Sequence, residues 1–258
     1  MTPARHDTPP PAQAPAQLPR PRAILKGMND APKPAPRAIR SFVRRGGRTT
    51  PAQQRALTEL WPHFGLETAE RPLEFDAVFG RRAPRTLEIG FGNGDTLLAL
   101  AAAHPERDFV GVDVHVPGVG RCLLGAAAAG LANLRIVRRD AVELLQGAIV
   151  DAALDEVLIY FPDPWPKKRH HKRRLVQSDF VALLERRLRR GGRLRLATDW
   201  EPYAQWMLEV LGANPALRNC AADGGYVPRP AARPQTRFER RGARLGHVVR
   251  DLEFERVG

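Results

Sequence analysis

The sequence predicts an α/β protein with a doubly wound, mostly parallel sheet. From Arg85 to Leu211, short apolar runs alternate with amphipathic stretches of helical length. A chain that alternates strand and helix in this way places parallel strands side by side and covers both faces of the sheet with helices. A later apolar run, GHVVRDLEFER at 246–256, follows the last helix and could close the sheet as an antiparallel edge strand.

A helix is predicted ahead of this alternating region. Thr50 suits an N-cap because its hydroxyl can accept from a free backbone N–H, and Pro51 fits the first helical turn. The helix would continue to about Leu60, where Trp61 and Pro62 end it.

Five strands and five helices follow, each predicted from the period of its apolar residues. The expected strands are RTLEIG (85–90), DFVGVDV (108–114), LRIVRRD (134–140), DEVLIYF (155–161) and GRLRLATD (192–199). The expected helices are 95–104, 118–130, 141–148, 178–190 and 202–211, with Ser178 as the cap of the fourth. Loops that leave the carboxyl ends of the strands would share one edge, where doubly wound sheets bind ligands.

The composition indicates a partner that carries many negative charges. Lys and Arg number 41 against 28 acids, a formal net charge of +13 over 258 residues. This excess favours nucleic acid or an acidic membrane surface as partner and does not bear on the fold. No apolar run reaches the roughly 18 residues of a membrane span, and Cys122 and Cys220 lack metal-ligand spacing. We expect a cytoplasmic protein in a reducing compartment, with no membrane partner.

The first 40 residues differ from the rest of the chain. They hold ten of the 24 prolines and few large apolar side chains, so they cannot bury enough surface to offset the entropy of ordering. We expect a disordered, basic, proline-rich tail at 1–40 and one domain at 41–258. A transit peptide is the alternative for the tail, although its prolines break any amphipathic helix.

A glycine loop follows the first predicted strand and indicates a cofactor site. Its glycines, Gly90 and Gly92 among them, let the backbone approach a ligand, and Asp113 ends the next strand where a ribose diol is held. The GxGxG spacing differs from the GxGxxG of dinucleotide sites, and Glu88 would repel a pyrophosphate. An acid there suits S-adenosylmethionine, which has no phosphate and carries two positive charges. Asp140 could accept from the adenine amino group, with a helix cap as its alternative role.

An acid between two prolines follows the fourth strand, in YFPDPWPKKRHHKRR. Pro162 and Pro164 fix φ beside Asp163, and residues before proline favour extended conformations, so Phe161 and Asp163 are restrained. A carboxylate held in this way can stabilise positive charge that develops on a nucleobase. Trp165 offers a flat face for base stacking.

A basic block completes this segment and would hold the phosphates of a large substrate while Asp163 meets one base. A metal site at the paired histidines is disfavoured, since adjacent histidines among cations are poor ligands. The block consists of Lys167, Lys168, Arg169, His170, His171, Lys172, Arg173 and Arg174.

Five segments, in the same order, resemble the bacterial tRNA (guanine-N7)-methyltransferases. The resemblance covers about 40–256 and implies a Rossmann-like class I methyltransferase fold, acting as a monomer or homodimer. It further implies methylation of guanine N7 in the tRNA variable loop with S-adenosylmethionine and without a metal. The segments are RTLEIGFGNGD, GVDVHVPGVG, YFPDPWPKKRHHKRR, LATDWEPYAQWML and TRFERRGARLGH.

The resemblance also implies roles for individual residues. Asp163 would be the catalytic acid. Asp199 would contact the substrate, whereas without the resemblance we would expect it to cap the helix that follows it. The cofactor would contact Glu88, Gly90, Gly92, Asp113 and Asp140. The substrate would contact Lys167, Asp199, Thr236, Arg237, Phe238 and Glu239, and the tRNA would contact Arg169, His170, His171, Lys172, Arg173 and Arg174.

Two other functions fit parts of the pattern. A non-catalytic RNA-binding protein would have no need for the four acids Glu88, Asp113, Asp140 and Asp163 facing a polyanion. A nicotinamide-dependent oxidoreductase is disfavoured by the GxGxG spacing and by the acid that precedes it.

Overall fold

The computed structural model describes residues 47–68, 72–231, 233–235 and 237–258 of the protein. All of these belong to one unit, Ile39–Gly258. The tail predicted to be disordered, 1–40, lies outside the described residues and stays a prediction.

A seven-stranded sheet runs through the described residues in the order β3-β2-β1-β4-β5-β7-β6. Strands β1 to β5 are mutually parallel, and β7 runs antiparallel to β5. The predicted fold class is therefore confirmed. The strands are β1 (Arg85–Ile89), β2 (Asp108–Val112), β3 (Leu134–Val137), β4 (Leu154–Tyr160), β5 (Leu188–Thr198), β6 (Leu217–Asn219) and β7 (Arg250–Arg256).

Helices connect the strands. The first, α1, begins at the predicted N-cap Thr50, whose side chain accepts from the backbone of Gln53. The Gln53 side chain in turn accepts from the backbone of Thr50, which makes a capping box that was not predicted from the sequence. The helices are α1 (Pro51–Glu59), α2 (Trp61–Phe64), α3 (Phe75–Phe79), α4 (Asp95–Ala103), α5 (Val116–Ala128), α6 (Ala141–Gly147), α7 (Ser178–Arg187), α8 (Glu201–Gly212) and α9 (Arg237–Arg244), with a 3₁₀ helix at Lys168–Arg173.

Two apolar clusters lie against the sheet. One contains Leu87 and Ile89 of β1 together with buried residues of α6, α7 and α8. The other contains Phe109 of β2 and Ile136 of β3 together with buried residues of α4 and α5. Because successive residues of a strand point to opposite faces, Glu88 points away from the cluster that holds its two neighbours.

The strand order places a crevice between β1 and β4. From β1 the chain proceeds outward to β2 and β3, and then crosses back to β4 and β5 on the other side of β1. The loops at the carboxyl ends of β1 and β4 therefore diverge at a topological switch point, where open α/β sheets bind ligands. The glycine loop and the Asp163 segment are these two loops.

Several boundaries differ from the sequence prediction by a few residues, and those of α7 have a clear physical reason. Helix α7 ends at Arg187 rather than 190, because Leu188 is fully buried and pairs with Leu154 at the start of an extended β5. Ser178 is the first residue of α7 rather than its cap, and Gln177 occupies the N-cap position without a side-chain bond. The cost of leaving Leu188 in solvent outweighs its helical propensity.

The antiparallel strand β7 is confirmed, but it is not the outermost strand. The short β6, which the sequence does not predict, pairs with the far side of β7 through Leu217, Arg218 and Asn219. Three residues are too few to show a period.

Candidate active site at the carboxyl edge of the sheet

The glycine loop adopts a left-handed backbone at three positions. Gly90, Gly92 and Gly94 have φ of 75°, 57° and 81°, a region that costs most L residues about 1–2 kcal/mol. A Cβ added to Gly90 or Gly92 would meet no atom of the described residues within 4 Å, whereas one at Gly94 would meet the Cys122 sulfur at 2.5 Å. The first two glycines thus leave open space beside the backbone, and the third permits close packing against α5.

Glu88 is an acid in an apolar position directly before this loop. Only 3% of the residue is exposed, and burial, with a further contribution from Asp113, raises the pKa of its carboxyl to about 8. Among the described residues, its buried Oε2 has no hydrogen-bond partner. A buried oxygen in this state calls for a donor from outside the chain, and a ligand ammonium would supply both a donor and a charge.

Asp113 fastens the glycine loop to the end of β2. Its Oδ2 accepts from the Gly92 N–H at 2.8 Å, and its Oδ1 accepts from the His115 N–H at 2.8 Å. Burial raises the pKa of the Asp113 carboxyl, and the bonds from His115 and Gly92 oppose that rise. A carboxylate offers about four lone-pair sites, so the predicted bond to a ribose diol is compatible with these backbone bonds.

Asp140 performs the alternative role considered for it and caps α6. Its Oδ1 accepts from the backbone N–H groups of Val142 at 2.8 Å and Glu143 at 3.3 Å. Both bonds involve a single carboxylate oxygen. These bonds to α6 hold the Asp140 side chain in place after β3. The contact with adenine stays a prediction.

The Asp163 loop also uses a left-handed backbone, but without glycine. Phe161 and Trp165 have φ of 52° and 45°. The extended conformation expected for Phe161 before Pro162 is therefore wrong. The Phe161 N–H donates to the Ala197 carbonyl at 2.8 Å, which ties this residue to β5. Tertiary contacts hold a conformation that the local sequence disfavours, as is common at functional sites.

Arg174 is buried beneath the Asp163 loop, and this corrects the expectation that it contacts RNA. Only 3% of the residue is exposed, and its Nε donates to the Pro164 carbonyl at 3.0 Å. Its guanidinium lies 4.9 Å from the ring centre of Tyr203 and 5.9 Å from that of Trp206. A guanidinium enclosed in this way supports the loop from inside and presents little surface to a phosphate.

The rest of the basic block lies on the 3₁₀ helix and is mostly exposed. Arg173 lies over the Trp165 ring at 5.0 Å, and His170 meets the same ring edge-on at 5.7 Å. A base that stacked on that face of Trp165 would have to displace Arg173. The exposed members are Lys167, Lys168, Arg169, Lys172 and Arg173, and His170 and His171 are half-buried.

Asp199 directly follows β5 at the same edge but does not cap α8. Trp200 is the N-cap, and its N–H donates to the Thr198 hydroxyl at 3.2 Å. Asp199 Oδ2 instead pairs with Nδ1 of His247 at 3.0 Å. The expected cap is therefore wrong, and the substrate contact implied for Asp199 stays a prediction.

Four consecutive residues, Thr236 to Glu239, are implied to contact the substrate, and of these the structure describes the side chain of Glu239. Thr236 lies outside the described residues, as do the side chains of Arg237 and Phe238. Glu239 is buried and accepts from both terminal nitrogens of Arg233 at 2.9 Å. Arg233 also binds Asp251 of β7. The sequence carries no local signal for this arginine, because Asp251 lies 18 residues away and both face each other only after folding.

Within the part of the chain that the structure describes, no helix is both long and apolar enough to cross a membrane. The same residues contain no group of three or more His, Cys, Asp or Glu side chains placed to hold a metal ion.

Comparisons with known proteins agree with this geometry. Residues 82–252 match a family described as "Putative methyltransferase". The chain is 60% identical over 220 residues to a tRNA (guanine-N(7)-)-methyltransferase of Ectopseudomonas mendocina (strain ymp), covering 85% of this chain and 92% of that protein. It is 58% identical over 222 residues to the protein of the same name from Pseudomonas putida (strain W619), covering 86% and 92%.

Two solved structures share the fold at low identity. The 16S rRNA methyltransferase KamB superposes with a TM-score of 0.54 at 16% identity, covering 75% of this chain and 96% of that one. The 16S rRNA (adenine(1408)-N(1))-methyltransferase from Catenulisporales acidiphilia superposes with a TM-score of 0.52 at 18% identity, covering 76% and 98%.

Proposed function

The chain belongs to the tRNA (guanine-N(7)-)-methyltransferase family, and from this premise we propose that it transfers a methyl group from S-adenosylmethionine to N7 of a guanine in the tRNA variable loop. The observation that carries the proposal is the 60% identity over 220 residues. The family match at 82–252 includes both loops of the switch point.

The residues at the first loop fit the cofactor. Glu88 Oε2, which has no hydrogen-bond partner among the described residues, would receive the ammonium. The side of Gly90 and Gly92 that is open within this part of the chain would admit the ligand, and Asp113 would accept from the ribose. S-adenosylmethionine, when bound, supplies an electrophilic methyl group on a positively charged sulfur.

The second loop would serve the acceptor base. Guanine N7 has a free lone pair, so no general base is needed for its attack on the methyl carbon. Methyl transfer would form a carbon–nitrogen bond as the donor's carbon–sulfur bond breaks, and the purine would gain positive charge. Asp163 would stabilise that charge and would accept from the N1–H and amino edge of the base. Because Arg174 and the prolines hold its loop, the carboxylate needs little reorganisation.

Labelled S-adenosylmethionine and bulk tRNA test the proposal. The protein should transfer label to tRNA, and alkaline cleavage at 7-methylguanine should map the label to one position in the variable loop. Binding of tRNA without transfer would favour the non-catalytic alternative, and label at another base would overturn the assignment of N7.

We also propose a cytoplasmic location, where the tRNA substrate is found, and a monomer or homodimer as the active form. Light scattering on the purified protein with and without tRNA would decide between the two oligomeric states.

A further inference from the structure

Arg233 is the largest fully buried side chain among the described residues, with 1% of its side chain exposed. Its Nε and one terminal nitrogen bind the two oxygens of Asp251 at 2.9 and 3.0 Å. Its terminal nitrogens bind the two oxygens of Glu239, both at 2.9 Å. Two bidentate pairs leave a planar guanidinium almost no freedom to rotate.

The charges around Arg233 are balanced by a second arginine. Arg233 carries one positive charge between two buried carboxylates, and the Nε of Arg229 lies 3.6 Å from Glu239. Arg229 also donates to the Arg233 carbonyl. Buried charges that are paired and fully hydrogen-bonded form a rigid unit. Loss of one charged side chain leaves its partner buried without a compensating charge, which is strongly destabilising.

This rigid unit lies against the base of the Asp163 loop. The guanidinium carbon of Arg233 is 5.6 Å from the ring centre of Tyr160 and 5.7 Å from that of Phe161. In the sheet, Tyr160 is in register with Ala197, and Ala197 is in register with Asp251. Side chains in one register row point to the same face, so the small Ala197 leaves room for the guanidinium between Tyr160 and Asp251.

Phe161 needs support from outside its own segment. Its φ of 52° is one that an aromatic residue rarely adopts, and Asp163 follows two residues later. A strained conformation persists only where its surroundings determine it. Arg233 contacts the ring of this residue from above, and the Ala197 carbonyl holds its N–H.

We propose that Arg233 is a positioning residue for methyl transfer, which fixes the Phe161 backbone and thereby the placement of Asp163, and that Glu239 acts through Arg233 rather than on the substrate. The inference rests on the proposed function. It gives Arg233 and Glu239 a role in aligning the Asp163 loop and leaves the substrate contacts that the resemblance implies for 236–239 to Thr236, Arg237 and Phe238.

The conservative variant Arg233→Lys separates alignment from folding. It keeps the charge but loses the two-pronged geometry that holds both carboxylates. We expect kcat to fall about 10- to 100-fold, the loss typical of a catalytic group misplaced by a fraction of an ångström to one ångström. The KM for tRNA and the dissociation constant for S-adenosylmethionine should stay near the wild-type values, measured at a temperature where circular dichroism shows the variant folded.

Arg81→Lys is the matched control. Arg81 binds the buried Asp108 at 2.7 Å at the amino end of β2, the edge opposite the site. This variant should lower the melting temperature and leave kcat unchanged. If Arg233→Lys resembles Arg81→Lys in both respects, Arg233 is only a structural brace and the inference is overturned.

Glu239→Gln keeps the shape of the side chain and serves as the second variant if Arg233→Lys fails to fold. A fall in kcat with unchanged KM supports action through Arg233. A rise in the KM for tRNA with unchanged kcat would show that Glu239 contacts the substrate directly, which overturns the inference. Wild-type protein runs beside every variant, so absence of wild-type transfer would count against the proposed function itself.

Discussion

The two loops at the switch point reach the same unusual backbone conformation in opposite ways. The loop after β1 uses Gly90, Gly92 and Gly94, for which positive φ carries little cost. The loop after β4 places Phe161 and Trp165 at positive φ and relies on contacts from elsewhere in the fold. The first loop is shaped by its own sequence, and the second by its surroundings.

This difference suits the two tasks. A loop that wraps a small cofactor needs a backbone that a ligand can approach, and glycine provides it. A loop that presents one carboxylate needs a single orientation. Side chains at Phe161 and Trp165 supply surfaces that Arg233 and Arg173 contact. Each loop can be tested by substitutions that should leave the function of the other loop unchanged.

The largest effect should come from the acid loop. Asp163→Ala removes the carboxylate that would stabilise the methylated purine, and we expect kcat to fall by about 1000-fold. Binding of tRNA and of S-adenosylmethionine should persist, as measured by filter binding and calorimetry. Asp163→Asn is the control that keeps the side-chain shape, and transfer near the wild-type rate in either variant would remove Asp163 from the mechanism.

The next effect belongs to the cofactor loop. Glu88→Gln should weaken S-adenosylmethionine about 10- to 100-fold, since a charge-assisted bond contributes about 1.5–3 kcal/mol. The affinity of the wild-type protein for S-adenosylmethionine should rise with pH up to about 8, the pKa of the Glu88 carboxyl in the protein without ligand. The reason is that a bound cation favours the ionised carboxylate. Calorimetry in buffers of different ionisation enthalpy would detect the released proton. An equally steep pH dependence in the variant would assign it to another group.

The same variant should change stability in the absence of cofactor. The pKa of the Glu88 carboxyl is raised from 4.5 to about 8 in the folded protein. The folded state therefore keeps its full stability below pH 4.5, where the carboxyl is protonated in both states. It loses stability as the pH rises from 4.5 through 8, because only the unfolded state ionises freely in that range. Glu88→Gln should match the wild type at low pH and exceed it above pH 8 by a few kcal/mol, on the order given by one pKa unit per 1.36 kcal/mol. Urea melts at the two extremes measure this, and equal stability of both proteins above pH 8 would refute the buried ionisation.

A smaller effect is expected from the exposed part of the basic block. Charge reversal at Arg169 and Arg173 together should weaken tRNA binding by about tenfold or more at moderate salt and reduce the slope of affinity against salt. The cofactor affinity should not change. Arg190→Glu, an exposed arginine at the amino-terminal start of β5, is the matched control. If this control lowers the salt slope as much as the double variant, the attraction is a property of the whole surface.

The smallest effect separates the two ways of making a left-handed turn. The added Cβ of Gly92→Ala meets no atom of the described residues within 4 Å, but residue 92 must adopt φ of 57°, which costs about 1–2 kcal/mol. We expect weaker cofactor binding by about tenfold and unchanged kcat at saturation.

Phe161→Gly relieves strain but removes the ring that Arg233 contacts, so kcat should fall although the backbone is freer. An increase in kcat for Phe161→Gly would contradict the need for outside support.

The sequence is informative about this site where function depends on position along a strand. Glu88, Asp113 and Asp163 were predicted to share one edge because each lies at or near the end of a parallel strand, and the sheet brings all three strand ends together. The charge of the ligand was also predictable in part, since the acid Glu88 before the glycine loop indicates a cationic ligand rather than a pyrophosphate.

The sequence is uninformative where function depends on contacts between distant segments. Arg174 looks like one more cation in a basic block, and only the fold reveals that Tyr203 and Trp206 enclose it. The rule that residues before proline are extended fails at Phe161 because contacts with β5 and Arg233 outweigh it. Asp199 likewise pairs with His247, 48 residues later, instead of capping its neighbouring helix.

The two outer strands of the sheet have a consequence for how the protein behaves when crowded. At one margin β6 offers three residues, and at the other β3 offers four, with the Leu66 N–H already donating to the Ile136 carbonyl there. Such short or covered margins present few unpaired backbone groups on which another chain could add a strand. The fold thus discourages strand-by-strand aggregation at both ends of its sheet.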